Sequence, residues 1–231
     1  MNEPLVLLPG MMCDARLFGP QIMAFGQERA IHLPPIGQYD RIEALAEAVL
    51  AGAPHRFALA GLSMGGIVAM EMARVAPNRV TRLALLDTNP LAETPAMAAN
   101  REPQIVRVMA GLLPEVMQDE MKPNYLAPGP NRQEILELVM EMAIEQGEGV
   151  FVRQSRALQR RLDQQSTLRK LNVPTLILCG EHDTLCPVKR HEFMAELIPS
   201  AELVIVPGAG HLPTLEQPNA TSAALRTWLE R

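Results

Sequence analysis

Six short apolar runs, at 5–8, 30–33, 57–60, 82–86, 175–179 and 203–206, alternate with stretches of helical periodicity, and this alternation constrains the fold more than any other feature of the chain. Short apolar runs with no polar face belong to strands covered on both sides, and strands separated by helices are joined by crossovers that make them parallel. Helices are expected near 41–52, 65–76, 188–198 and 219–230, the last ending in the single tryptophan, which should pack against the sheet. The expected architecture is α/β, a mainly parallel sheet of about six strands with helices on both faces. With 231 residues, 48% of them hydrophobic, the chain can bury one substantial core without disulfides.

The third run, Phe57-Ala58-Leu59-Ala60, leads into Gly61-Leu62-Ser63-Met64-Gly65, and a helical stretch begins at Gly66-Ile67-Val68. A serine at a tight strand-to-helix turn needs small residues two positions before and after it, because a side chain there would meet the neighbouring strand or helix. Gly61 and Gly65 meet that need. In a bland α/β turn the same serine would only cap the helix. As a nucleophile it needs a general base, and the base needs a carboxylate to fix its tautomer. The chain supplies both downstream. Gly180-Glu181-His182-Asp183 follows the fifth run, and Gly208-Ala209-Gly210-His211 follows the sixth. Asp87, after Arg82-Leu83-Ala84-Leu85-Leu86, is a second candidate carboxylate. His32, His55, His182 and His191 read as surface or locally hydrogen-bonded histidines.

Those motifs, with Leu5-Val6-Leu7-Leu8-Pro9-Gly10, Val173-Pro174-Thr175 and Glu216-Gln217-Pro218, resemble the α/β-hydrolase superfamily, and the resemblance runs over nearly the whole chain. It implies a three-layer α/β-hydrolase fold in a single domain. By that resemblance Ser63 is the nucleophile, His211 the base and Asp183, ahead of Asp87, the orienting acid. The oxyanion donors are then the backbone N–H groups of Met64 and Met11, with Met12 beside them as a substrate contact. Many relatives carry His-Gly where this chain has Pro9-Gly10, so a polar side chain that helps hold the oxyanion loop is missing. The implied enzyme is a cofactor-free, metal-free serine hydrolase cleaving a carboxylic ester through an acyl-enzyme. Lactone, thioester, carbon–carbon bond and peracid chemistry share the same triad, and a non-catalytic binding relative is the alternative from another class.

Between Thr88 and Thr167 the strand rhythm stops, and the family places a helical cap there. The core is expected at 1–88 and 168–231 and the cap at 89–167, divided by Pro114, Pro123, Pro128 and Pro130. Met109, Met117, Met121, Met140 and Met142 fit either a pliable apolar pocket or, more commonly, core filling. An apolar acyl group is therefore expected in the substrate. The net charge of -5 argues against nucleic acid, and Arg153 to Arg161 reads as a solvated helix face. No stretch is apolar enough to span a bilayer, and Met1-Asn2-Glu3-Pro4 shows no leader, so a cytoplasmic protein acting on a small molecule is expected. Cys13, Cys179 and Cys186 have no metal-ligand spacing and are expected to be free thiols.

Overall fold

In a computed structural model, which describes residues 2–121 and 125–231, the six apolar runs form one sheet. Its strands are β1 (Leu5–Leu8), β2 (Ile31–His32), β3 (Phe57–Leu62), β4 (Val80–Leu86), β5 (Thr175–Gly180) and β6 (Ala201–Val206), in the order β2-β1-β3-β4-β5-β6. Every pairing is parallel. Only two residues of the expected 30–33 run pair with β1, at the sheet edge.

Because side chains alternate across a strand, each run feeds two cores. Val6, Leu8, Phe57, Leu59, Leu83 and Leu85 face one cluster, which also takes residues of α2 (Ile42–Gly52), α3 (Met64–Val75) and α9 (Val188–Leu197). Leu5, Leu7, Ala58, Ala60, Ala84 and Leu86 face the other, with α1 (Gly19–Phe25), α10 (Pro213–Glu216) and α11 (Pro218–Glu230). Helix–sheet–helix is the three-layer arrangement expected. Trp228 on α11 is fully buried and donates Nε1–H to Pro174 O at 3.2 Å, packing on the sheet as expected. Helix α1 is an addition to the expected set. It has only seven residues and buries only Gln21 and Phe25, too little for a periodic signal.

Between β4 and β5 the chain makes α4 (Pro95–Met109), α5 (Leu113–Val116), a π-helical turn at Met117–Met121, α6 (Arg132–Gln146), α7 (Glu148–Gln159) and α8 (Gln165–Leu168). Pro114 lies in the first turn of α5, where its missing N–H costs nothing, and Pro123 lies outside the described residues. Among the described residues no helix is long and apolar enough to cross a membrane.

The strand order places the functional region. From β1 the chain passes to β2 on one side, and the strand on the other side is β3, so the loops after β1 and β3 diverge and leave a crevice at the carboxyl ends of the strands. Met11 follows β1, and Ser63 and Met64 follow β3.

Candidate active site

Ser63 joins β3 to α3 with φ 53° and ψ -116°, a left-handed conformation that costs a non-glycine residue roughly 1–3 kcal/mol. Neighbouring bonds hold it there. Ser63 N–H donates to Leu86 O at 2.9 Å, and Thr88 Oγ1 donates to Ser63 O at 2.7 Å. The two glycines have concrete reasons. A Cβ at Gly61 would lie 2.3 Å from Gly65 O, and one at Gly65 would lie 2.1 Å from Leu8 O.

His211 Nε2 lies 2.9 Å from Ser63 Oγ, and its Nδ1 lies 2.8 Å from Asp183 Oδ2. The carboxylate can only accept, so Nδ1 carries the proton and Nε2 is left to accept the serine O–H. Burial works to raise the Asp183 pKa, but the attraction of His211, its hydrogen bond and the N–H of Cys186 outweigh it and hold the carboxyl below its ordinary value. The loop bearing His211 is fastened from two sides. His211 N–H donates to Tyr125 O at 2.6 Å, and the Glu216 carboxylate accepts the N–H groups of Gly210, Leu212 and Ala127 at 2.8–2.9 Å. Glu216 thereby ties the histidine loop to the segment after the π-helical turn.

Ser63, Met64, Met11 and His211 all line one cavity of about 370 Å³. Met64 is the first residue of α3, so its N–H has no acceptor within the helix and lies at the positive end of the helix dipole. The Pro9 loop is held by a residue the sequence reading missed. Gln154 of α7, buried, accepts Met12 N–H with Oε1 at 2.9 Å and donates Nε2–H to Ile36 O at 3.1 Å. Met12 itself corrects the expectation of a substrate contact. Its φ of 57° turns the side chain into the core, where it is fully buried, and it is not among the cavity-lining residues.

The other expected candidates fall into place around this chain of bonds. Asp87 directly follows β4, fully buried at φ 43°, and its Oδ1 accepts Gly180 N–H at 2.9 Å. Burial, then the charge of Asp183, push its pKa well above the ordinary carboxyl value. His191 is buried, accepts Thr88 N–H at Nε2 (3.1 Å), and is drawn down to about 4 by burial. His182 is exposed beside Glu181. The cysteines are free thiols; burial pushes Cys13 and Cys179 up to about 12, which leaves them unreactive. Among the described residues one group could share a cation: Asp183, Cys186 and His211, with ligand atoms within 4.8 Å of one another. Asp183 and His211 already spend those atoms on each other. Burial, with Asp183 and Asp87 nearby, pushes the Cys186 thiol up and away from the thiolate a metal would need.

The cavity wall is less apolar than expected. Met11, Met64, Met97 and Met121 do line it, whereas Met117 and Met142 are buried in the cores and Met109 is exposed. Beside them stand Asn89, Asn100, Gln104 and the charged residues Glu93, Arg101 and Arg161. The run from Arg153 to Arg161 is accordingly not a plain solvated face. Arg153 donates to Gly37 O, and Arg161 is buried at the cavity. Nothing in a helical charge pattern tells a side chain facing solvent from one facing a covered cavity.

A parallel sheet between two helical layers, a left-handed serine between β3 and α3, and an aspartate and a histidine on the loops after β5 and β6 define an α/β-hydrolase. The model of the alpha/beta hydrolase family matches residues 5–225, and the chain belongs to that family and is a hydrolase. It is similar to the pimeloyl-[acyl-carrier protein] methyl ester esterase of Pectobacterium atrosepticum, 27% identical over 95% of this chain and 91% of that protein. A putative carbamate hydrolase of Yersinia enterocolitica is 25% identical over 98% of this chain and 87% of its own length. Among solved structures, a thermophilic esterase from Thermogutta terrifontis with malate bound superposes with a TM-score of 0.91 at 28% identity, covering 100% of this chain and 90% of that one.

Proposed function

We propose that the chain is a serine esterase acting on a small carboxylic ester, with Ser63 as nucleophile, His211 as general base and acid, and Asp183 as the orienting carboxylate. One observation carries this reading: Ser63 Oγ, in the left-handed turn that lines the cavity, lies 2.9 Å from a histidine whose other nitrogen is held by a buried carboxylate. His211 Nε2 takes the hydroxyl proton as Oγ attacks the ester carbonyl, and Asp183 stabilises the imidazolium that forms. The N–H groups of Met64 and Met11 receive the oxyanion, each donor contributing about 10²- to 10³-fold to turnover. His211 then protonates the departing alcohol, and water, deprotonated by the same nitrogen, releases the acid from Ser63. The segment 89–167 is the cap that shapes the cavity, and 1–88 with 168–231 is the core. The ester-cleaving relatives in Pectobacterium atrosepticum and Thermogutta terrifontis support an ester as the electrophile. No step calls for a metal or a cofactor.

The test is burst-phase hydrolysis of short p-nitrophenyl esters, with fluorophosphonate labelling, on wild type and Ser63→Ala. The expected result is a burst and a label in the wild type and neither in the variant, with the circular dichroism spectrum unchanged. Labelling that persists in Ser63→Ala would overturn the assignment.

A further inference from the structure

The cationic wall of the cavity has a consequence for the substrate. Among the described lining residues Glu93, in the loop before α4, is the one carboxylate, and two guanidinium groups, Arg101 on α4 and Arg161 just beyond α7, converge on it. Arg101 Nη2 donates to Glu93 Oε1 at 2.6 Å, with Nε reaching both carboxylate oxygens at 2.9 and 3.1 Å. That bidentate grip already neutralises Glu93. Arg161 adds only a long contact to Oε1, 3.4 Å, and spends Nε on Leu91 O at 2.8 Å.

Among the described residues the wall therefore holds one positive charge in excess, and it holds it largely away from water. The Arg161 side chain is 6% exposed and that of Arg101 21%. Each guanidinium has five N–H donors. The bonds to Glu93 and Leu91 use Nε and Nη2 of Arg101 and Nε and Nη1 of Arg161, so Arg101 Nη1 and Arg161 Nη2 are not engaged by them. Neither nitrogen is among the buried, unpartnered polar atoms, which fits donors facing the cavity space. A cation kept out of water without a full counter-charge is costly, and an anion entering the cavity relieves that cost. Loop bracing alone would need one arginine and one carboxylate.

We propose that Arg101 and Arg161 bind a carboxylate carried by the substrate, so that the ester cleaved at Ser63 is an anionic one, such as the half-ester of a dicarboxylic acid. This rests on the esterase reading above and sharpens it, replacing the apolar acyl group expected from the methionines. The methionine side of the cavity takes the chain that links the scissile ester to the anion.

The experiment has a turnover arm and a binding arm. Monomethyl half-esters from succinic to suberic acid are compared with neutral methyl esters of matching length. In wild type the best half-ester should be preferred by roughly 10- to 100-fold in kcat/KM, mainly through KM. Arg101→Gln should shrink that ratio, and Glu93→Gln, which leaves both cations uncompensated, should enlarge it. In Ser63→Ala, which turns nothing over, the same half-esters should raise Tm while the corresponding ester-amides do not. Equal rates for charged and neutral esters, or ratios that move the same way in both variants, overturn the inference and leave the esterase standing. If no ester is hydrolysed at all, the esterase reading fails, and the Tm series in Ser63→Ala still decides whether the wall binds carboxylates.

Discussion

The ends of β4 and β5 lie side by side, and each presents an aspartate just beyond the strand, Asp87 on one and Asp183 on the other, in opposite electrostatic surroundings. Both are buried, Asp87 wholly and Asp183 to within 4%. Burial alone would raise both carboxyls, so it does not separate them. Donors do. Asp183 Oδ1 accepts the N–H groups of Leu185 and Cys186 at 2.8 and 3.0 Å, and Oδ2 accepts His211 Nδ1–H. Asp87 receives one N–H, from Gly180, and its Oδ2 has no donor beside it. Asp87 also feels the charge of Asp183, another carboxyl, which opposes a second negative charge in the same buried space. The shifts run accordingly: Asp183 is held low and Asp87 is pushed well up. Two neighbouring strand ends thus hold one carboxyl biased towards its charged form and one biased towards its neutral form, and the loop after β5, which curls its N–H groups back onto Asp183, makes the difference.

The largest effect that could break this comparison is on turnover. Asp183→Asn removes the charge that stabilises the His211 imidazolium and leaves its tautomer unfixed, so kcat should fall about 10⁴-fold on a p-nitrophenyl ester. A fall of less than tenfold would move the acid's role to Asp87.

A smaller effect belongs to the β4 side, where His191 of α9 accepts Thr88 N–H and so must stay unprotonated at Nε2. Burial lowers its pKa to about 4 against an ordinary 6.5, outweighing the Pro187 carbonyl at Nδ1 and the charge of Asp183, while His211 and Arg190 push the same way as burial. With the folded value below the unfolded one, the unfolded chain takes up the proton first as the solution is acidified. The contribution is full above about pH 6.5 and lost as pH falls to about 4, a total of roughly 3 kcal/mol. His191→Gln keeps an acceptor and cannot titrate. Urea unfolding of wild type and variant from pH 7 to pH 4 should show a steeper loss in wild type, and parallel curves would refute the neutral, buried histidine.

Both strand ends were legible in the sequence for the same reason: a sheet buried on both faces needs continuous apolar runs, and the loops that follow them hold the chemistry. Gly61 and Gly65 stood out because no side chain fits beside Leu8 O and the helix start. What was hidden depends on long-range partners. Gln154 braces Met12 from 142 residues away, and Arg161 meets Glu93 across 68. In sequence these are ordinary polar residues of amphipathic helices, and only the fold of the insertion over the strand ends turns them inward. Met12 misled for a related reason, since its place beside Met11 says nothing of the left-handed turn that sends its side chain into the core.

The finest test of the comparison is one expected to do little to catalysis. In Asp87→Asn the amide oxygen can still accept Gly180 N–H, and the neutral amide, like a protonated acid, places no second charge beside Asp183. If Asp87 is neutral in the folded protein, kcat should stay within a few-fold of wild type. Stability gives the independent readout. An acid whose folded pKa is raised takes up a proton on folding at any pH between its unfolded and folded values, so wild type loses stability as pH rises above about 4, by about 1.4 kcal/mol per unit. Asparagine removes that dependence. The variant should therefore gain on wild type as pH is raised above about 4, with the gain levelling off once the folded value is passed. A variant that instead loses stability uniformly, or loses turnover on the scale of Asp183→Asn, would mean that Asp87 is ionised and that the two strand ends share the charge.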